Sequence, residues 1–332
     1  MNKVAKDKSA IVAALPKACS DELSAVEFLE AQRWGDSPVC PRCEATDVYQ
    51  LRGRDGKRNK RFLWVCRDCG DQFTVRINTV FEDSRIPLRH WCYAFWAACA
   101  SKKGVSALQI KRQTGLSYKS ALFLMHRIRY AMTPPRSPRL DGTVEVDETY
   151  VGGKPRGPSI QQLRRMTYDE RKPYFAARAE YRGRGTKKVP VVALVERGGR
   201  VRARVVTNVT ADSLGRAIRE SVRPSAAIHT DELSSYRGIG KHFAGGHHTV
   251  RHSVREYARG NVHVNTAESF FALLKRGLVG TFHAVSKQHL HRYVNEFAFR
   301  WNHRRVEDGE RTVAAIRGAV GKRLMYKQPR GA

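Results

Sequence analysis

The segment Val144-Glu-Val-Asp-Glu-Thr-Tyr-Val-Gly-Gly-Lys154 alternates apolar and polar residues and then reaches two glycines. A period of two predicts a half-buried β-strand, and the glycines favour a turn after it. Asp147 therefore stands near the end of a strand. The segment Ile228-His-Thr-Asp-Glu-Leu233 places Asp231 in the same way after a second strand. The sequence thus sets two aspartates at the ends of strands that are far apart along the chain.

The elements around these strands predict an α/β domain with a mixed sheet over residues 143–302. Strands are predicted at 143–147, 189–195, 201–206 and 226–230, and helices at 212–222, 266–276 and 286–301. The first two strands are separated by an insert, 152–188, which has 37 residues with eleven Lys or Arg and three acids. A connection of this length and charge favours a binding loop over a core element.

The N-terminal half is organised differently, with one predicted amphipathic helix over 21–32 that Ser20 would cap. Short β-like segments with cysteines follow, and then a helical region that ends at a run of prolines. We therefore divide the chain into a helical lead-in (1–33), a cysteine-rich module (34–82), a helical region (83–133), a linker (134–142), the α/β domain (143–302) and a basic C-terminal tail (303–332).

Four of the seven cysteines form two pairs, Cys40-Pro-Arg-Cys43 and Cys66-Arg-Asp-Cys69. Two such pairs can supply a closed tetrahedral shell for a structural Zn²⁺ and favour a zinc ribbon in a reducing compartment. The alternatives are incidental cysteines, or a redox role that would explain only one pair. The aromatic residues predicted to form the small core of this module are Trp34, Phe62, Trp64 and Phe73.

Residues 105–130 have the pattern of a helix-turn-helix. A first helix is predicted over 107–113, Gly115 supplies the turn, and Ser117 caps the second helix. An ordinary helical hairpin is the alternative interpretation. The residues expected to face phosphates or base edges are Tyr118, Lys119, Arg127 and Arg129.

The charge balance of the chain favours a polyanionic partner. There are 61 Lys and Arg against 31 Asp and Glu, a formal net charge of +30, and the pI is about 10.3. Nucleic acid is the first candidate, because phosphate neutralisation drives binding that is independent of sequence. A ribosome-associated protein or an ordinary basic enzyme is the alternative. An anionic membrane surface is the second candidate, but the charge is spread along the whole chain and not gathered in a basic helix or tail. No apolar run approaches the ~20 residues of a membrane span, so we expect no membrane partner.

A third acid, Glu268, lies in Asn265-Thr-Ala-Glu-Ser-Phe-Phe at the start of a predicted helix. Lys275 follows two turns later on the same face. Carboxylates from two strands and one helix are what a two-metal phosphoryl-transfer centre requires. Each acid alone is more often a turn residue or a helix cap, but their grouping at element ends in so basic a chain favours the metal centre.

Several motifs occur in order in the C-terminal half: Val146-Asp-Glu-Thr-Tyr-Val-Gly-Gly-Lys154, His229-Thr-Asp-Glu-Leu-Ser-Ser-Tyr236, Asn265-Thr-Ala-Glu-Ser-Phe-Phe271, Leu274-Lys-Arg-Gly277, Gly280-Thr-Phe-His283 and His289-Leu-His-Arg-Tyr-Val-Asn-Glu-Phe-Ala-Phe-Arg-Trp-Asn302. Together they resemble the bacterial insertion-sequence transposases of the IS1595 type, in which a zinc ribbon precedes an RNase H-like DDE domain. The resemblance covers roughly residues 20–305.

This resemblance implies that Asp147 and Asp231 hold two Mg²⁺ or Mn²⁺ ions. The third catalytic residue of the family is Asn, His or Glu, so Asn265 and Glu268 are both candidates. We favour Glu268, because a carboxylate binds a metal better than an amide does. Lys275 is then expected to contact a phosphate near the scissile bond.

The resemblance further implies an enzyme that cuts double-stranded DNA at the ends of its own element and joins those ends to target DNA as a homo-oligomer. The zinc ribbon and the helix-turn-helix would hold the terminal inverted repeats. Basic residues of the insert, Lys154 and Arg156 among them, and of the tail would contact the DNA backbone. A non-enzymatic DNA-binding regulator and a structure-selective RNase H-like nuclease are the alternatives. We expect no small-molecule substrate, and a location in the bacterial cytoplasm with the nucleoid.

Overall fold

A computed structural model of the protein describes residues 3–134, 138–152, 159–179 and 188–325. The chain divides into two compact units. Unit 1 contains Met1–Ser137, Val279–Phe282 and Arg292–Ala332, and unit 2 contains Pro138–Leu278 and His283–His291. The first division lies in the predicted linker, but the chain returns to unit 1 at Arg292 rather than leaving the α/β domain after residue 302.

Unit 1 combines helices with a small antiparallel sheet of order β1-β2-β3. Asp21, not Ser20, caps its second helix, because the Asp21 carboxylate accepts a hydrogen bond from Ser24 N at 2.7 Å. Ser20 instead ends a first helix that we did not predict. The elements of the N-terminal part are α1 (Lys3–Ser20), α2 (Glu22–Trp34), β1 (Val48–Gln50), β2 (Trp64–Cys66), β3 (Gln72–Phe73), α3 (Leu88–Ala100), α4 (Ala107–Thr114) and α5 (Tyr118–Ala131).

The predicted helix-turn-helix forms as two capped helices. Ser106 accepts a hydrogen bond from Gln109 N at the start of α4, and Ser117 accepts one from Ser120 N at the start of α5. Between them Gly115 has φ +73°, in the left-handed region that favours glycine. The turn residues read from the sequence are therefore the ones that end α4 and start α5.

The C-terminal residues complete the helical core of unit 1 through α10 (Leu290–Asn302) and α11 (Asp308–Arg317). α11 packs against α3, and its Val313, Ala315 and Ile316 lie in the same buried cluster as Trp91 and Phe95. The prediction of a basic tail over 303–332 is therefore wrong for 308–317, where an amphipathic period outweighs the surrounding charge. Residues 326–332 lie outside the described residues.

Unit 1 also buries an ion cluster between α5 and α10. Glu296 is fully buried and accepts from Arg129 Nε at 2.6 Å and from Arg300. The Arg129 guanidinium also lies 4.0 Å from the centre of the Tyr293 ring. Two cations around one anion satisfy a carboxylate that would otherwise be costly to remove from water.

Unit 2 is built on a five-stranded mixed sheet of order β6-β5-β4-β7-β8. β6, β5 and β4 are antiparallel neighbours, whereas β4, β7 and β8 run parallel. This sheet confirms the predicted α/β class. Its elements are β4 (Thr143–Val151), α6 (Ile160–Arg165), α7 (Tyr168–Ala179), β5 (Val189–Glu196), β6 (Val201–Val205), α8 (Ala211–Ser221), β7 (Ala227–Thr230), β8 (His247–Thr249), β9 (Ala258–Arg259), β10 (Val262–His263) and α9 (Asn265–Gly277).

The two faces of β4 serve different neighbours because successive side chains point to opposite faces. Val144 and Val146 lie in one buried cluster with Leu214 and Ile218 of α8. α9 also packs against β4 and β5. The alternation first read from the sequence thus separates an apolar core face from a face that carries acids.

The basic insert contains α6 and α7, and α6 has no buried residue. This peripheral position agrees with the expectation that 152–188 is not a core element. Lys154 and Arg156, which we predict to contact DNA, lie outside the described residues.

Because Glu296 is paired with two buried cations, Glu296→Ala should leave Arg129 and Arg300 uncompensated. We expect the free energy of unfolding to fall by about 3–5 kcal/mol, measured by urea denaturation followed by circular dichroism. The matched control is Glu220→Ala, which removes an exposed pair with Arg204 and should change stability by less than about 0.5 kcal/mol. Equal effects of the two substitutions would contradict a stabilising role for the buried cluster.

Candidate active site, zinc centre and DNA-binding surface

β4 carries Asp147, and Asp231 directly follows β7, the parallel neighbour of β4. In this ladder Glu145, two residues before Asp147, pairs with His229, two residues before Asp231. Asp147 Oδ1 accepts a hydrogen bond from the amide of the next residue at 2.8 Å, and Asp231 Oδ1 accepts from Leu233 N at 3.0 Å. Asp147 lies in the middle of β4, which stays paired with β5 as far as Val151, so the prediction that it stands near the end of a strand is wrong; Asp231 directly follows β7, as predicted.

α9 presents the third predicted acid. Its buried face consists of Ala267, Phe270, Phe271 and Leu274, spaced as a helical stripe. The exposed side carries Asn265, Glu268 and Lys275. The expectation that these three residues share one face of a helix is met.

Electrostatics links the three elements. The pKa of Asp147 is raised to about 7, and burial is the largest cause. Repulsion by nearby acids adds to this rise, and those acids are Glu148, Asp231 and Glu268. A carboxyl group in this position is held in its charged form most readily by a cation, so the arrangement suits a divalent metal ion.

The carboxylates do not form as tight a group as the cysteines do. Within the part of the chain that the structure describes, one group of three or more metal-ligating side chains has all its ligand atoms within 4.8 Å of one another, and it is Cys40, Cys43, Cys66 and Cys69. The acids lack this spacing in the described residues, whereas the thiols already lie at the spacing of a bound ion.

The cysteine geometry fits tetrahedral zinc. The sulfurs of Cys40 and Cys69 lie 3.7 Å apart, and those of Cys43 and Cys66 lie 3.5 Å apart. Zinc–sulfur bonds of about 2.3 Å in a tetrahedron require sulfurs about 3.8 Å apart. Burial raises the pKa of the Cys40 thiol, but hydrogen bonds from backbone amides and from the neighbouring thiols together outweigh it and lower this pKa to about 7. These four residues therefore fit a structural zinc ion.

The aromatic core of this module matches the prediction except at one position. Trp34, Trp64 and Phe73 pack with the buried cysteines, and the Trp34 ring meets the Phe73 ring edge-on at 5.8 Å. Phe62 instead packs against the larger helical core of unit 1. Trp64 Nε1 also donates to Glu30 of α2 at 2.8 Å, which ties the module to that helix.

Of the four residues predicted to face DNA, two are exposed and two are buried. Tyr118 is 47% exposed and Lys119 is exposed, both in the first turn of α5. Arg127 and Arg129 are only 5% and 1% exposed. Arg127 donates to the carbonyls of Val80, Glu82 and Leu324. The prediction that these two arginines face DNA is therefore wrong, because main-chain and carboxylate acceptors hold them inside unit 1.

Two exposed basic residues were not singled out from the sequence. Lys111 and Arg112 lie in the last turn of α4, next to the turn that precedes Tyr118. Their position shortly before the predicted turn at Gly115 could have identified them as candidates for DNA contact. Glu145 also receives no role in the sequence analysis, although its place two residues before Asp147 puts both on the same face of β4.

Comparison with known proteins agrees with this architecture. Residues 139–302 match the family described as the ISXO2-like transposase domain, and residues 20–72 match the transposase zinc-ribbon domain. A relative from Halobacterium salinarum, an uncharacterized protein in transposable element ISH50, is 31% identical over 288 residues, covering 86% of this chain and 92% of the relative. The chain belongs to the IS1595 transposase family.

A second relative matches a smaller part of this chain. An uncharacterized transposase-like protein of Haemophilus influenzae is 30% identical over 104 residues, 31% of this chain and 81% of the relative. The predicted resemblance to this family, with its zinc ribbon and its catalytic domain, is thereby confirmed. In the described part of the transposase, none of the helices has the length and apolar character of a membrane span.

The zinc centre predicts a specific loss on substitution. Cys43 is exposed, so Cys43→Ser removes a ligand with little change in burial. We expect the wild type to hold about one zinc ion per chain by elemental analysis and Cys43→Ser to lose it, with a change in the fluorescence of Trp34 and Trp64. The control Cys19→Ser, at a half-buried cysteine away from the cluster, should retain zinc. Full zinc content in Cys43→Ser would contradict the site.

Proposed function

We propose that this transposase binds the terminal inverted repeats of its own insertion sequence and catalyses metal-dependent strand cleavage and strand transfer. The observation that carries the proposal is that β4, the residue after β7 and the exposed face of α9 supply three acids, Asp147, Asp231 and Glu268, and that burial and the two other acids contribute to a raised pKa of Asp147. In a chain of net charge +30, such a concentration of negative charge favours divalent cations rather than DNA as its direct partner. The basic surroundings then suit the DNA.

Asp147, Asp231 and Glu268 are proposed to hold two Mg²⁺ or Mn²⁺ ions. Bound there, the ions would supply Lewis-acid stabilisation of an in-line displacement at phosphorus. Asn265 precedes Glu268 by one helical turn and is proposed to assist it. Lys275, two turns after Glu268 on the exposed face, is proposed to contact a phosphate beside the scissile bond.

The helix-turn-helix is proposed to contact the terminal repeats through the turn between its helices. The first residues of a recognition helix are the ones that reach base edges. In α5 these are the exposed Tyr118 and Lys119, and Lys111 and Arg112 of α4 extend the basic surface. The zinc ribbon and the basic insert, including Lys154 and Arg156, are proposed to add contacts to the DNA backbone.

Joining two element ends to one target requires the ends to be held together, so we propose that a homo-oligomer forms on the DNA. The DNA it acts on would be that of the nucleoid in the cytoplasm.

The catalytic proposal predicts a sharp loss in single substitutions. Asp147→Asn and Asp231→Asn each keep the side-chain volume but remove the charge that binds a cation. We expect Mg²⁺-dependent cleavage of a terminal-repeat duplex, and strand transfer to a second duplex, to fall by about 10²–10³-fold. Glu268→Gln should lose more activity than Asn265→Ala, because the carboxylate is proposed as the ligand.

The matched control is Glu220→Gln on α8, which is exposed and paired with Arg204, and it should retain full activity. Cleavage that persists in either aspartate variant would refute the catalytic assignment. Cleavage without joining would indicate a nuclease, and repeat binding with neither reaction would indicate a regulator.

The DNA-binding proposal predicts a change in salt dependence. Lys119→Ala should weaken binding to the terminal-repeat duplex and reduce the slope of log affinity against log salt concentration by about 1, measured by fluorescence anisotropy. The control Arg216→Ala removes an exposed arginine of α8 that pairs with Asp212, and it should leave the slope unchanged. An unchanged slope in Lys119→Ala would remove this residue from the interface.

A further inference from the structure

We infer that Glu145 is a positioning residue that holds the start of α9, and with it Glu268, against the strand that carries Asp147. This inference rests on the proposed function, because it assigns a purpose to the geometry of the proposed metal site. Glu145 does not face the substrate: its side chain is fully buried. It acts through the helix to which it binds.

The carboxylate of Glu145 binds the first turn of α9 directly. Oε2 accepts from Thr266 N at 2.7 Å and from Ala267 N at 3.1 Å, and Oε1 accepts from Thr266 Oγ1 at 2.8 Å. The first amides of a helix have no partner within the helix. The residue before α9 is Val264, which offers no side-chain cap. Glu145 therefore caps α9 from a neighbouring strand, and its charge also suits the positive end of the helix dipole.

A second set of contacts fixes the segment that leads into α9. Arg197 donates to Glu145 Oε1 from Nε at 3.0 Å, and His263 Nδ1 lies 3.2 Å from the same oxygen. Arg197 also donates to the carbonyl of Asn261 at 2.8 Å. His263 before Val264 and Thr266 after it thus both contact the buried carboxylate of Glu145.

The sequence positions make this attachment a direct link between the proposed ligands. Glu145 lies two residues before Asp147 on the same face of β4, and its partners Thr266 and Ala267 lie between Asn265 and Glu268. A shift of about 1 Å in catalytic groups can cost about 10²-fold in rate.

The test uses the full-length protein and three readouts. Glu145→Gln keeps the shape of the side chain but turns an amide group toward donors that need an acceptor. We expect hydrogen exchange of the amides of 266–268 to become at least about tenfold faster, while exchange in β5 is unchanged. Mn²⁺ affinity, measured by calorimetry, should fall by about 10–100-fold. Cleavage should fall likewise, and Glu145→Gln combined with Glu268→Gln should be no worse than Glu268→Gln alone.

A milder pair of variants keeps the test decisive if Glu145→Gln does not fold. Thr266→Val removes only the hydroxyl that donates to Glu145, whereas Thr266→Ser keeps it. The valine variant should show faster exchange and weaker Mn²⁺ binding, and the serine variant should restore both. Glu220→Gln, an exposed acid of α8, should match the wild type in every readout.

The outcomes separate this inference from the proposed function. If Asp147→Asn remains active, the proposed catalytic site is wrong, whatever α9 does. If α9 exchange and Mn²⁺ affinity are unchanged in Glu145→Gln and Thr266→Val, the positioning role is overturned even when Asp147→Asn is inactive. Additive losses in the double variant would also overturn it, because they would mean that Glu145 acts independently of Glu268.

Discussion

The buried carboxylate of Glu145 joins β4 to the start of α9 in unit 2, where the catalytic site is proposed. A buried charge is tolerated only when it is paired and hydrogen-bonded, and Glu145 meets both conditions through α9, Arg197 and His263. Removing any partner would leave the charge uncompensated, so strand and helix are tied to one arrangement. The distance between Asp147 and Glu268 depends on this contact, because Asp147 lies two residues after Glu145 and Glu268 directly follows its partner Ala267.

Buried charges are also paired in unit 1, where they include cations. Arg127 and Arg129 are buried cations, satisfied by carbonyls in one case and by Glu296 in the other. The large positive charge of the chain is therefore not all available to DNA, since part of it stabilises the helical core. The first turn of α5 and the last turn of α4 stay exposed and carry Lys111, Arg112 and Lys119, so this part of the positive charge is available to a partner.

Local patterns in the sequence predicted what local interactions determine. The cysteine spacing, the alternation of β4, the stripe of α9 and the caps of α4 and α5 depend on neighbours only a few residues away, and the structure has all of them. Apart from the cap of α2, where Asp21 and not Ser20 is used, the errors discussed below have their origin in tertiary context. Whether Arg127 faces solvent, whether residues 308–317 join a core and whether Glu145 has a function depend on partners over 40 residues away, and the sequence does not display those partners.

The most direct test of the central claim is anomalous diffraction at the manganese edge, from crystals of the transposase grown with Mn²⁺. The account predicts two manganese peaks about 3.5–4 Å apart that Asp147, Asp231 and Glu268 together would hold. The claim that these carboxylates form one metal centre would be contradicted if no manganese were bound near Asp147, Asp231 and Glu268. It would also be contradicted if manganese were bound to one aspartate while the other acids point away.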